Sequence, residues 1–178
     1  MKKLYAYIPL IVFLILALIF ARQLILGKDP SVLPSVLLNE KIPNLNLEKL
    51  EGYKLFSVKN LISVESPTLI NIWSSWCAPC LVEHEFLLKM SKEHSIKIFG
   101  INYKDKKEDA LKILDLNGNP FYAIGIDKDG SESINLGVYG VPETFILDRH
   151  ANIKYRHVGP ILEYDMQNII LPILSKLK

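Results

Sequence analysis

Apolar residues are distributed along this chain in two regimes. From Leu4 to Ala21 they run on without a single charge. As a helix rising about 1.5 Å per residue, such a run spans roughly 27 Å, close to the thickness of a bilayer core. Past residue 39 the apolar residues come in short blocks separated by charged and turn-forming positions. TLINIW (68–73), IKIFGINY (96–103) and FYAIGID (121–127) are short and apolar enough to predict buried strands. Between them, Pro79 to about His94 and Lys106 to Asn117 predict helices, the second carrying Ala110, Leu111 and Leu114 at helical spacing. ETFILD (143–148) and IKYRHV (153–158) flank the turn Arg149 to Asn152 and predict an antiparallel pair. Tyr164 to Lys176 predicts a last helix with Pro172 late in it, and the alternation on either side of Glu51-Gly52 predicts a hairpin. Strands alternating with helices and closing on a hairpin predict an α/β sheet covered on both faces.

The three parts expected are an anchor over 1–26, a linker over 27–39 containing Pro30 and Pro34, and one domain over 40–178. Lys2 and Lys3 favour a cytoplasmic N-terminus, which exports everything that follows. A cleaved signal peptide is the alternative, but the apolar run is long for one and Ile19-Phe20-Ala21 is a poor cleavage site. Export places the domain where thiols tend to oxidise. All four bases before Asp29 precede the first acid, which leaves 17 bases against 19 acids in the remainder. A mildly acidic domain without a basic patch gives no reason to expect a nucleic-acid partner. The turn Asp127-Lys128-Asp129-Gly130 begins like a calcium loop, but Glu132 and Val138 stand where that loop needs Gly and Glu.

Only two cysteines occur, Cys77 and Cys80, within WSSWCAPC after the first predicted strand and at the opening of a helix. Unpaired N–H groups and the helix dipole at that position stabilise a thiolate on Cys77. Pro79 suits the first helical turn, and Cys80, one turn further in, is placed to resolve a mixed disulfide on Cys77. A structural disulfide closing so short a ring removes little chain entropy. A metal site has Cys80 and His84 at i, i+4, and together with Cys77 only three ligands. Covalent haem attachment fails because Leu81 stands where C-x-x-C-H needs His. Ala78 and Pro79 supply no cation to the thiolate, which weighs against a strong oxidant.

On the helix wheel Cys80, Val82, Phe86, Leu87 and Met90 share a broad arc with Glu83 near its middle. A buried Glu83 would have a raised pKa and could exchange protons with the Cys80 thiol; a solvated glutamate is the plain alternative. Further on, GVYGVPET (137–144) places Pro142 at the entrance of the ETFILD strand, where a trans edge proline is the ordinary expectation.

With WCAPC after a strand and GVPE before the late hairpin, the chain resembles the thioredoxin superfamily. GINYKD, NGNPF, GVYGVPETFILD and YRHVG narrow the resemblance to the membrane-anchored thiol:disulfide interchange proteins of cytochrome c maturation, the CcmG/DsbE family. The resemblance covers nearly the whole chain. It implies a thioredoxin-like fold with a central insertion around NPFYAIGIDKDGSESINL, preceded by the transmembrane helix. It also implies an exposed attacking Cys77, a resolving Cys80 and a cis Pro142 with Val141 beside it for backbone pairing with a client. Glu83 and Glu143 match the family's acidic residues around the dithiol, and Trp76 and Tyr139 are candidate contacts for a client. Asn71 stands where thioredoxin has a buried Asp. The implied activity is reduction of a disulfide in apocytochrome c at the outer face of a bacterial inner membrane. It needs no cofactor beyond the redox-active pair Cys77 and Cys80, and partners are apocytochrome c or a haem-ligation subunit, with a membrane thiol reductase as electron donor. Rivals are a general periplasmic dithiol oxidoreductase and a copper-binding chaperone built on Cys77, Cys80 and His84.

Overall fold

The structure is a computed structural model that describes residues 7–26 and 37–177. The chain divides into two compact units, Met1–Pro34 and Ser35–Lys178. In the first, helix α1 spans Ile8–Leu26, and its large apolar side chains from Ile8 to Phe20 are exposed. Among the described residues no helix is long and apolar enough to cross a membrane. The uncharged run expected to do so begins at Leu4, and most of the expected linker 27–39 also lies outside the described residues.

The second unit is a six-stranded mixed sheet in the order β1-β4-β3-β2-β5-β6. Strands β2 (Thr68–Trp73), β3 (Ile98–Tyr103) and β4 (Ala123–Asp127) are parallel neighbours. Parallel strands need long crossovers. Helix α3 (Ala78–Lys92) joins β2 to β3, and α4 (Lys107–Asn117) joins β3 to β4. β5 (Glu143–Leu147) runs antiparallel to β2, and β6 (Ile153–Val158) pairs antiparallel with β5. These elements agree with the expected ones to within a few residues.

Alternation along the strands builds two cores, one on each face of the sheet. Leu69 and Trp73 of β2, Ile98 of β3 and Ile146 of β5 join the first core, together with Leu87 and Met90 of α3. Ile70, Ile72, Phe99, Ile101, Phe145 and Leu147 join the second. Asn71 therefore lies on the first face, between Leu69 and Trp73. Across the sheet at that level it pairs with Gly100 on one side and Thr144 on the other. Gly100 is required by a close approach, since a Cβ there would stand 2.9 Å from the Phe121 ring and 3.1 Å from Trp73 Nε1. Phe121 in turn stacks on Trp73, with ring centroids 5.3 Å apart.

The expected hairpin at Glu51-Gly52 does not form. Both of its arms pair with β4 instead of with each other: β1 (Glu48–Lys49) antiparallel to Ile126 and Gly125, and Leu55 through a parallel bridge to Ile124. An open sheet edge recruits both arms, with Leu47 packed so tightly on Gly125 that an added Cβ would come within 2.5 Å of it. Two five-residue helices, α2 (Val58–Ile62) and α5 (Ser131–Asn135), also escape the periodicity, being too short to show one. The last helix is composite: α6 (Glu163–Asp165), a π-helical stretch Met166–Ile170, and α7 (Leu171–Leu177). Pro172 explains the widening, because a proline ring crowds the carbonyl four residues back and a wider turn makes room for it.

Candidate active site

β2 ends at Trp73, α3 begins at Ala78, and Cys77 is the N-cap between them, with extended backbone (φ −91°, ψ 102°). Its Sγ accepts the Cys80 N–H at 3.2 Å, so the sulfur occupies the place an oxygen takes in an ordinary cap. Cys77 and Cys80 are joined as a disulfide. The loop that delivers Cys77 is held from the end of β3. Asp105 accepts from the Ser75 N–H (2.6 Å) and hydroxyl (2.7 Å), from Asn102 Nδ2 (2.9 Å) and from the Lys106 N–H (2.8 Å). The Trp76 indole N–H donates to the Lys104 carbonyl at 3.0 Å, and the Ser74 hydroxyl donates to the Tyr103 carbonyl.

One turn below Cys80, Glu83 is fully buried. Its Oε1 accepts from Asn71 Nδ2 (2.8 Å) and its Oε2 from the Ile161 N–H (2.9 Å), which ties α3 to the sheet and to the segment after β6. Burial pushes its pKa up to about 7, against the two hydrogen bonds, which lower it. Asn71 also donates to Thr144 Oγ1 at 3.0 Å, while its own Oδ1 is buried without a partner. His84, the next residue, is buried too; its Nε2 lies 2.8 Å from the Gly118 carbonyl, and burial lowers its pKa.

The Val141–Pro142 peptide is cis, as the resemblance implies. The Pro142 carbonyl accepts the Gly159 N–H at 3.0 Å. Glu143, next along, is buried and fully engaged. Its Oε1 accepts the N–H groups of Tyr139 (3.0 Å) and Gly140 (3.2 Å), and its Oε2 meets Arg156 Nε at 2.6 Å. The Arg156 guanidinium lies 4.7 Å from the centre of the Tyr139 ring. Glu143, expected to tune the dithiol, thus spends its charge on Arg156 and on the loop that carries Val141 and Pro142.

Three expectations change. Cys77, expected to be exposed, is 3% exposed against 4% for Cys80, so in the disulfide state neither sulfur faces solvent. The two belong to the apolar core of the first sheet face, against which Val141 packs. Trp76 beside them is 59% exposed, and Tyr139 is exposed as well. On α3 the buried residues are Cys80, Glu83, His84, Leu87 and Met90, whereas Val82 is 56% exposed. The buried stripe is rotated from the expected arc toward His84, because the carbonyl of Gly118 gives the imidazole a partner inside. That bond also engages the third ligand of the copper reading, and among the described residues no group of three His, Cys, Asp or Glu side chains is placed to hold a metal. No pattern in the sequence points to Asp105, Arg156 or Thr144. The first two sit within the quoted segments GINYKD and YRHVG, but nothing in those segments says that a single carboxylate will clamp the cysteine loop from another strand.

Residues 37–170 match the Redoxin family. The chain is 40% identical to the thiol:disulfide interchange protein DsbE of Vibrio cholerae over 181 residues, covering 99% of this chain and 97% of that one. It is 36% identical to that of Escherichia coli K12 over 179 residues, covering 99% and 96%. Among solved structures it shares its fold with a putative thiol:disulfide interchange protein DsbE from Chlorobium tepidum, with a TM-score of 0.68 at 24% identity over 83% of this chain and 100% of that one. The structure of MTB dsbF gives a TM-score of 0.64 at 20% identity, covering 78% of this chain and 100% of that one.

The site yields two expected outcomes. The folded Glu83 carboxyl holds its proton up to about pH 7, whereas an unfolded one releases it near 4.5. Across that window the folded state carries a proton that the unfolded chain has lost, so stability falls as pH rises, by about 3 kcal/mol in total. Urea unfolding between pH 4 and 8 should show this slope in the native protein and a flatter profile in Glu83→Gln. Separately, Arg156→Ala leaves the Glu143 carboxylate buried without its cation and should cost about 3–5 kcal/mol. The same unfolding assay checks it, and a loss below about 1 kcal/mol contradicts the buried pair.

Proposed function

The chain belongs to the Redoxin family and, within it, to the DsbE-type thiol:disulfide interchange proteins; from that premise we propose that it reduces disulfides of apocytochrome c during cytochrome c biogenesis. That it is a thiol:disulfide oxidoreductase follows from the family. The observation that carries the site assignment is the Cys77 sulfur at a helix N-cap, receiving the Cys80 N–H, with a buried carboxyl one turn below. An N-cap sulfur sits where N–H groups and the helix dipole favour negative charge, which makes Cys77 the nucleophile.

In the reducing direction the Cys77 thiolate attacks one sulfur of the client disulfide. A Cys77–client bond forms, the client S–S bond breaks and the first client sulfur leaves as a thiolate. Cys80 then gives its proton to the Glu83 carboxylate and attacks Cys77 Sγ. The Cys77–Cys80 bond forms, the second client sulfur leaves, and two electrons have passed from dithiol to client. A pKa near 7 suits Glu83 to taking up a proton and returning it at neutral pH. The cis Val141–Pro142 segment offers its backbone to the client as a short added strand, with Trp76 and Tyr139 as flanking contacts. No bound cofactor is needed, since both electrons reside on the sulfurs.

The proposed setting is the periplasmic face of a bacterial inner membrane, with residues 1–26 as a retained single-pass anchor. The exposed apolar side chains from Ile8 to Phe20 and the charges of Lys2 and Lys3 support it. Because that compartment oxidises thiols, a membrane thiol reductase must restore the dithiol, and apocytochrome c or a haem-ligation subunit receives its electrons.

Cys80→Ala removes the resolving thiol and should leave clients bound to Cys77. Mass spectrometry of the trapped adducts in cells should find apocytochrome c; adducts of many unrelated proteins would point to a general reductase. The reduction potential of the Cys77–Cys80 pair, measured against glutathione, should lie nearer the roughly −270 mV of thioredoxin than the roughly −120 mV of a strong oxidant. A value above roughly −150 mV contradicts the reductase assignment.

A further inference from the structure

The Glu83 carboxyl is bonded on both oxygens by donors: Asn71 Nδ2 at Oε1 and the Ile161 N–H at Oε2. That arrangement suits the carboxylate. A protonated carboxyl has an O–H to donate, and neither of its partners can accept it. An acceptor does lie in the same cluster, since Asn71 Oδ1 is buried and without a partner. Asn71 holds its other amide hydrogen toward Thr144 Oγ1, and a hydroxyl can donate as readily as it accepts.

We propose that the Asn71 side-chain amide turns over by half a rotation when Glu83 takes up a proton, making Asn71 the positioning residue for proton exchange at this site. With Glu83 ionised, Nδ2 donates to Glu83 and to Thr144, as seen here. With Glu83 protonated, Oδ1 takes the place of Nδ2, accepting from the new Glu83 O–H and from the Thr144 hydroxyl. The Ile161 N–H bond serves both states. The turned amide leaves its N–H groups where Oδ1 now stands unpartnered, so one amide end is unsatisfied in either orientation. Neither protonation state is then fully bonded and neither is locked, which is what a group that must both take and return a proton requires. A half turn exchanges Oδ1 and Nδ2 in place, so the amide ends in the volume it already fills between its strand partners Gly100 and Thr144.

The titratable neighbours do not compete for the role. On its own helix, Cys77 and Cys80 are bonded to each other, and His84 is engaged with the Gly118 carbonyl. On β5, Glu143 is paired with Arg156 of β6. His157, opposite Thr144 on β6, has its Nε2 3.4 Å from the Pro160 carbonyl. Tyr155 of β6 is shifted by burial and by Asp165, not by Glu83. Thr144 follows Pro142 and Glu143 directly in sequence, so the amide connects the proton on α3 to the strand that begins at the client-binding segment.

This inference rests on the proposed proton-handling role of Glu83, and its test involves no client. The full chain, oxidised and in detergent micelles, is titrated by NMR from pH 5 to pH 9, following the Glu83 side-chain carboxyl and the Asn71 side-chain amide. Cross-relaxation from the Asn71 amide protons to the Thr144 methyl and the Glu83 methylenes should be present at pH 9 and lost at pH 5, with the same midpoint as the Glu83 carboxyl. Amide contacts that stay the same at both ends while Glu83 titrates overturn the proposal, as does a Glu83 carboxyl that does not titrate in this range. Asn71→Leu removes a charge-assisted bond from the carboxylate and a weaker neutral one from the acid, so the Glu83 midpoint should move up by about one pH unit. An unmoved midpoint also overturns it. The measurement on the native chain stands whether or not the variant folds, and failure to capture apocytochrome c on Cys77 leaves both readouts unaffected.

Discussion

A carboxyl group with no water around it has to be held by whatever the fold can bring to it, and Glu83 is the point on which three parts of this domain converge. Its helix carries the two cysteines, Asn71 reaches it from the centre of the sheet, and the backbone of Ile161 reaches it from beyond the last strand. Burial alone raises the cost of ionising it, and the two donors offset part of that cost. The result is a group that ionises near neutrality instead of one locked in either state. The same bonds set the height of α3 against the sheet, so the proton acceptor and the placement of the cysteines have a common origin.

Around that helix, two further carboxylates hold the loop before Cys77 and the loop before Pro142. Asp105 gathers the backbone and hydroxyl of Ser75 with Asn102 and Lys106, which brings the segment before Cys77 onto the end of β3. Glu143 gathers the N–H groups of Tyr139 and Gly140 and closes on Arg156, which holds the turn that leads into Val141 and Pro142. The three acids do different work because their surroundings differ. Glu83 has amide donors only, Asp105 is half surrounded by the loop it organises, and Glu143 has a buried cation. Burial gives Glu83 a raised proton affinity that suits exchange.

The order of the sheet strands follows from the same economy of burial. β2, β3, β4 and β5 are buried along nearly their whole length and occupy the interior, while β1 and β6 take the edges. The arms around Glu51-Gly52 show where local pattern stops being informative. Their alternation suits a hairpin, yet the unpaired edge of β4 offers each arm a partner already ordered by the core. The π-helical stretch before Pro172 is the reverse case, in which one residue's covalent geometry reshapes a helix that tertiary contacts keep in place.

Periodicity and turn residues alone determined the central strands, the two crossover helices and the late hairpin, because buried strands and amphipathic helices must show their solvent contrast in one dimension. Two cysteines at a helix start determined the chemistry, because thiolate stability depends on the nearest turn of backbone. The helix wheel also put Glu83 near the buried side, but could not distinguish Val82 from His84 as its neighbour inside, since the carbonyl of Gly118 that accepts His84 comes from another helix. Tertiary structure alone decided that Asn71 and Thr144 stand beside Glu83, that Glu143 is spent on Arg156, and that Asp105 holds the cysteine loop. Each of those pairings joins residues on different strands or segments, and hydrogen bonds act over about 3 Å of space irrespective of the length of chain between their partners.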